Sequence, residues 1–335
     1  MRSRIALTCC TLFAAAIFPE AQVFAAATPS PALLVLDKED SSLAIVDPGT
    51  KAVVGRVPTG DAPHEVAVSD DGKLAFVSNY GAKTAGHTLS VIDLEAQKEI
   101  HRVDLGPMGR PHGLAYSNGK LYFTAELAKL IGRYDPAANR VDWLLGTGQN
   151  STHMILFNRS GDEAFTSNIG SNTVTAIAMS GNWDETVIPV GKGPEGIDIS
   201  PDGNEVWSAS SRDGGISIID PAARTLKQTF NIGTKRSNRV KFTQDGRRAL
   251  VSDLAGNELV VVDVAKREVI KRLNIGKQPE GILIVPAVSA GGEARGYVAV
   301  AGDDRIAILD LATVEVTGQI ATGHGPDGMA WAVRK

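Results

Sequence analysis

The sequence predicts an all-β chain folded as a seven-bladed β-propeller. Three observations predict it: a segment repeated seven times, an aspartate that closes nearly every repeat, and an opening half-repeat that the C-terminus completes. The repeated segment is a Gly/Pro turn running into an apolar stretch. It appears as "GDAPHEVAVSDDG", "GRPHGLAYSNG", "GQNSTHMILFNRSG", "GPEGIDISPDG", "GTKRSNRVKFTQDG", "GKQPEGILIVP" and "GHGPDGMAWAV". The closing aspartates are Asp47, Asp93, Asp135, Asp220, Asp263 and Asp310, with Met179 in the remaining slot, at spacings of 41 to 47 residues. That period, with four short strands to each unit, is the propeller period.

Each unit reads alike. A first strand such as "GIDIS" ends at Asp-Gly or Asn-Gly, residues that accept the positive φ of a tight hairpin. A second strand follows, then a polar loop, a third strand, a turn opened by the aspartate, and a fourth strand such as "VIKRLNIG". One such sheet cannot bury both of its faces, whereas seven stacked around an axis can. The chain starts in mid-unit at "ALLVLDKEDSSLAIVD" and ends on an orphan first strand, "GMAWAV". The last strand is therefore expected to enter the blade that the N-terminus begins.

The extreme N-terminus is of another kind. Arg2 and Arg4 precede the apolar run "IALTCCTLFAAAIF", and small residues follow at Ala25 and Ala27. This pattern predicts a secretory leader over 1–27, a single propeller domain over 28–335, and a periplasmic or secreted protein without a transmembrane anchor. Both cysteines, Cys9 and Cys10, fall in the leader, which leaves no thiol chemistry or disulfide to the mature chain. Losing Arg2, Arg4 and Glu20 moves the formal charge from −4 to −5, which disfavours nucleic acid as a partner. A monomer is expected.

Units of the form "FVSNYG…LSVIDLEAQKEIHRVDLG…PHGLAYSNG" resemble the YVTN-type propeller repeats of exported bacterial proteins, with Phe76 to Asn79 at the position of the namesake motif. The resemblance covers nearly all of the mature chain. It implies the fold firmly and the function weakly, because propellers host many unrelated activities. A more remote resemblance, to the propeller portions of exported nitrous-oxide reductases and cytochrome-type nitrite reductases, implies histidines or a haem near the axis.

In a propeller the first strand of each blade lines the axis, so the residue after each turn should reach one rim of the central channel. In order these residues are His64, His112, His153, Glu195, Asn238, Glu280 and Asp327; their neighbours include Glu65 and Arg239 where four copies have Gly. Three of six histidines thus share one slot in consecutive repeats, and His324 and His87 are expected on the same face. Imidazoles beside carboxylates suit Zn, Cu, Fe, Ni or Mn, with His64, His112 and His153 as candidate metal ligands. Glu195 or Glu280 would serve as a base and Arg239 as an anion clamp, while Asn238, Asp327, Glu65 and His324 are candidate ligand-binding residues. The same slots equally suit polar side chains that do no more than face a wet channel. Loop residues Asn79, Tyr80, Glu126, Asn168, Arg212, Asp253 and Asp303 could line the mouth, but their types also suit turns. Three functions stay open: a binding or accessory propeller for a small ligand, metal or periplasmic protein; a metal-dependent hydrolase (lactonase), lyase or oxidoreductase; and a pure interaction scaffold.

Overall fold

The computed structural model describes residues 27–286 and 294–335. Most of the expected leader, and the "SAGGEARG" insertion of the sixth copy up to position 293, lie outside the described residues. Among the described residues, 28 strands form seven four-stranded antiparallel sheets. The only other regular element is a 3₁₀ turn, Ala301–Asp303.

The strand sequences explain the layering. Second and third strands are buried on both faces, because each packs against a neighbouring blade on either side. One third strand, Glu258–Asp263 (ELVVVD), is the type example. Fourth strands face solvent and alternate, as in Glu268–Asn274 (EVIKRLN). The core is therefore a set of wedges between blades rather than one central mass. Phe76, Leu89, Leu121, Phe123 and Tyr134 fill one such wedge.

Local chemistry sets the turns. Asp47 Oδ1 accepts the Gly49 N–H at 2.8 Å, and Asp93, Asp135, Asp220, Asp263 and Asp310 cap their turns in the same way. Met179 cannot do this, and its turn closes instead by Ala178 N–H donating to Asp184 O at 3.0 Å. At Asn118-Gly119 both residues have positive φ (52° and 75°), the hairpin expected there.

The ring closes as expected. Strand β1 (Ala32–Asp37) pairs antiparallel with β28 (Pro326–Ala332), with Leu34 opposite Ala330 and Val35 opposite Met329. The C-terminal strand thus becomes the innermost strand of the blade that the N-terminus starts.

Candidate functional site

The innermost strands share one irregularity that shapes the axis. In the blade of Pro63–Val68, Pro63 pairs with Asn79 and Val66 with Val77, so His64 and Glu65 together oppose Ser78 alone. All seven innermost strands carry this register shift at the same place. It is a β-bulge, which bends the strand and re-aims its side chains. The bulged pair is the rim residue and its neighbour.

Hydroxyls lock several bulges. Thr124 Oγ1 accepts the Gly113 N–H at 2.8 Å and donates to the His153 carbonyl of the next blade at 2.6 Å. Ser167 and Ser252 tie the carbonyls of Glu195 and Glu280 in the same way. The glycines beside the rim slot are explained by the same closeness. A Cβ on Gly113 would stand 2.5 Å from His153 O, and one on Gly328 would stand 2.2 Å from His64 O.

Two rings of side chains converge on one cavity of about 480 Å³ at the axis. The first is the rim slot, where His64, His112, His153, Glu195, Asn238, Glu280 and Asp327 all line the cup. The second is the residue that follows each second strand, which supplies Lys38, Tyr80, Glu126, Ile169, Ser211 and Leu254. Arg212, Arg236 and Arg239 complete the charged lining.

The three histidines meet, His112 and His153 roughly face to face and His64 edge-on to His112. His112 and His153 ring centroids are 3.7 Å apart with planes tilted 31°, and His64 lies 5.1 Å from His112. The three candidate metal ligands, His64, His112 and His153, are thus brought together at one cup. Among the described residues no group of three His, Cys, Asp or Glu is placed to hold a metal ion. Burial holds His64 down at about 4, against the pull of Asp327, and drives His112 well below the usual imidazole range, helped by the neighbouring rings.

His153 Nδ1 lies 2.6 Å from Glu126 Oε1, and Tyr80 O–H donates to Glu126 Oε2 at 2.8 Å. Burial works against the Glu126 charge, yet the His153 and Tyr80 hydrogen bonds hold its carboxyl below the usual range, so His153 Nδ1 carries the shared proton. Tyr80 is itself pushed up to about 12 by burial and by Glu126. Its ring packs between His64 (4.5 Å) and the Arg110 guanidinium (4.6 Å).

Two ion clusters complete the cup. Lys38 contacts Glu280 and stands 3.3 Å from Asp327. Burial and the Asp327 charge push Glu280 up to about 8. Asp327, despite burial, is held at about 2 by Lys38, Arg239 and His64. The two carboxyls therefore hold one proton between them at neutral pH. Arg239 reaches from its own blade to Glu65, three blades away round the ring, and lies 4.0 Å from Asp327. The candidate bases are engaged as well: Glu195 accepts from Asn238 at 2.8 Å, and Glu280 has Lys38.

Arg239 is consequently a cross-channel strut more than a free anion clamp, and neither glutamate is an unpartnered base. His324 is exposed and sits 2.9 Å from Asp304, away from the cavity lining. His87 pairs with Asp104 at 2.9 Å, also outside the lining. Asn79 and Asp253 staple the Gly turns, through Gly60 N–H and through the Lys235 and Arg236 N–H groups. Lys38 escaped sequence reasoning because the repeat opens in mid-unit there. Its register with Tyr80 and Glu126 was the available signal.

The fold and the cup define a class, the seven-bladed propeller with a polar pocket on its axis. Several solved structures are similar to this chain in fold. The periplasmic gluconolactonase PpgL of Pseudomonas aeruginosa is 17% identical with a TM-score of 0.71, covering 92% of this chain and 100% of that one. Dihydro-heme d1 dehydrogenase NirN, solved in complex with DHE, is 15% identical with a TM-score of 0.66, covering 94% and 78%. Kuenenia stuttgartiensis hydrazine synthase is 20% identical with a TM-score of 0.68, covering 79% and 88%. At these identities the likeness concerns the fold alone. No family model matches the chain, and no curated protein matches it. Among the described residues no helix is long and apolar enough to cross a membrane.

Proposed function

We propose that this is an exported propeller that binds a small polar molecule in its axial cup, using its own side chains. The leader-like N-terminus and the resemblance to exported YVTN-type repeats support the location. One observation carries the binding reading: His112 Nδ1, His153 Nε2 and Asp327 Oδ1 are buried at the cup without a hydrogen-bond partner. Native structures leave few such atoms, and they concentrate where a ligand or bound solvent completes them. The test is calorimetric titration of the mature protein with a panel of sugars, sugar acids and sugar phosphates, repeated on His112→Ala/His153→Ala. Saturable binding that the double variant weakens is expected. Binding that the variant leaves unchanged refutes the reading.

A second reading, turnover of the same ligand, is favoured by the Tyr80–Glu126–His153 series, which fixes the His153 proton on Nδ1. The gluconolactonase likeness makes δ-gluconolactone the natural assay. Hydrolysis at the spontaneous rate only refutes lactonase turnover.

A further inference from the structure

The charges of the cup are unevenly committed, and that asymmetry points to the chemistry of its ligand. Of the four cations lining it, Lys38 and Arg239 are tied to carboxylates at the axis. Arg212 is exposed and makes no ion pair among the described residues, while Arg236 is exposed and only 4.0 Å from Glu195. The carboxylates are more committed: Glu126, Glu195 and Glu280 each already hold a donor, and Asp327, though its Oδ1 has no hydrogen-bond partner, stands 3.3 Å from Lys38 and 4.0 Å from Arg239. An anion finds two guanidinium groups on one lip, with up to five donors each.

The carboxylates still have work to offer. A carboxylate has about four lone-pair sites, and only Asn238 makes a side-chain hydrogen bond to Glu195, with Arg236 at ion-pair distance. Glu280 is bonded by Lys38 on one oxygen and shares a hydrogen bond with Asp327. Spare acceptors of this kind match ligand hydroxyls. The Ser151 and Ser211 positions, also lining the cup, add neutral polar surface.

We infer that the ligand is a polyhydroxylated anion, with its carboxylate or phosphate at Arg212 and Arg236 and its hydroxyls at Glu195 and Glu280. This rests on the proposed binding function and narrows it to one chemical class.

The test titrates the mature protein with gluconate, glucose 6-phosphate, sorbitol (hydroxyls without the acid) and hexanoate (acid without the hydroxyls). Gluconate or glucose 6-phosphate is expected to bind at least about tenfold tighter than either control, the worth of one charge-assisted hydrogen bond. Arg212→Ala/Arg236→Ala should abolish the preference over sorbitol, and Glu195→Ala the preference over hexanoate. Circular dichroism checks that each variant is folded, and Arg212→Lys should restore part of the anion preference. Sorbitol or hexanoate binding as tightly as gluconate overturns the inference while leaving cup binding intact. Failure of all four probes, with the broader panel bound, overturns it as well. Failure of every compound in both sets overturns the binding function itself.

Discussion

Arg239→Met tests whether the axis is held by a strut of opposite charges. The Arg239 side chain is 6% exposed and that of Glu65 15%, so neither end can turn to water when its partner goes. Methionine keeps much of the volume and removes the cation. Glu65 is then left facing Asp327, and the cheaper outcome is to protonate. Holding a carboxyl protonated costs about 1.4 kcal/mol for each pH unit above its ordinary value near 4.3, which sets a ceiling of about 4 kcal/mol at pH 7. Burial already raises Glu65 in the native protein against the pull of Arg239, so part of that cost precedes the substitution. A loss of about 2–3 kcal/mol at pH 7 is expected, toward the low end of what breaking a buried pair costs. A carboxyl raised in the folded state binds its proton more tightly there, so the loss grows as pH climbs above about 4.3 and shrinks below about 1 kcal/mol at pH 5. Urea unfolding followed by tryptophan fluorescence at both pH values measures this. A loss that is the same at pH 5 and pH 7, or under about 0.5 kcal/mol at pH 7, refutes the strut.

Other substitutions probe the remaining parts. Glu280, raised to about 8, should cost stability progressively as pH rises from 4.5 toward 8; Glu280→Gln, which mimics the protonated form, should flatten that decline in a thermal-melt series. Gly113→Ala places a Cβ 2.5 Å from His153 O and should cost about 1–3 kcal/mol while weakening ligand binding, measured by unfolding and calorimetry. Thr124→Val removes both ends of the hydroxyl bridge and should cost about 1–2 kcal/mol in the same unfolding assay. Metal analysis of protein isolated from the periplasm should find only sub-stoichiometric metal; a full equivalent that His64→Ala/His112→Ala/His153→Ala loses would restore a metal site.

Much of the site was legible before any coordinates, because a repeat converts sequence position into place. Once the seven turns align, His64, His112, His153 and Glu195 fall in one slot, and the structure puts every member of that slot on the cup. Register failed where the repeat was irregular. Lys38 belongs to a half-unit whose first strand, Pro326–Ala332, lies at the other end of the chain, so only its register with Tyr80 and Glu126 marks it. His324 sits two residues before its turn's proline, and that offset carries it outward to Asp304.

The sequence by itself determined the number of blades, the closure of the ring and the identity of the residues in the rim slot. Those follow from periodicity, turn chemistry and strand alternation, all of which are local. Only the tertiary structure decided how the axial side chains are oriented and paired. The bulge in each inner strand re-aims the rim residue and its neighbour, and the blades then bring groups far apart in the chain within reach. Arg239 and Glu65 are 174 positions apart, and Lys38 and Glu280 are 242 apart. That His112 and His153 lie face to face while His64 is edge-on to His112 is set by how neighbouring blades pack and not by any residue's own propensity.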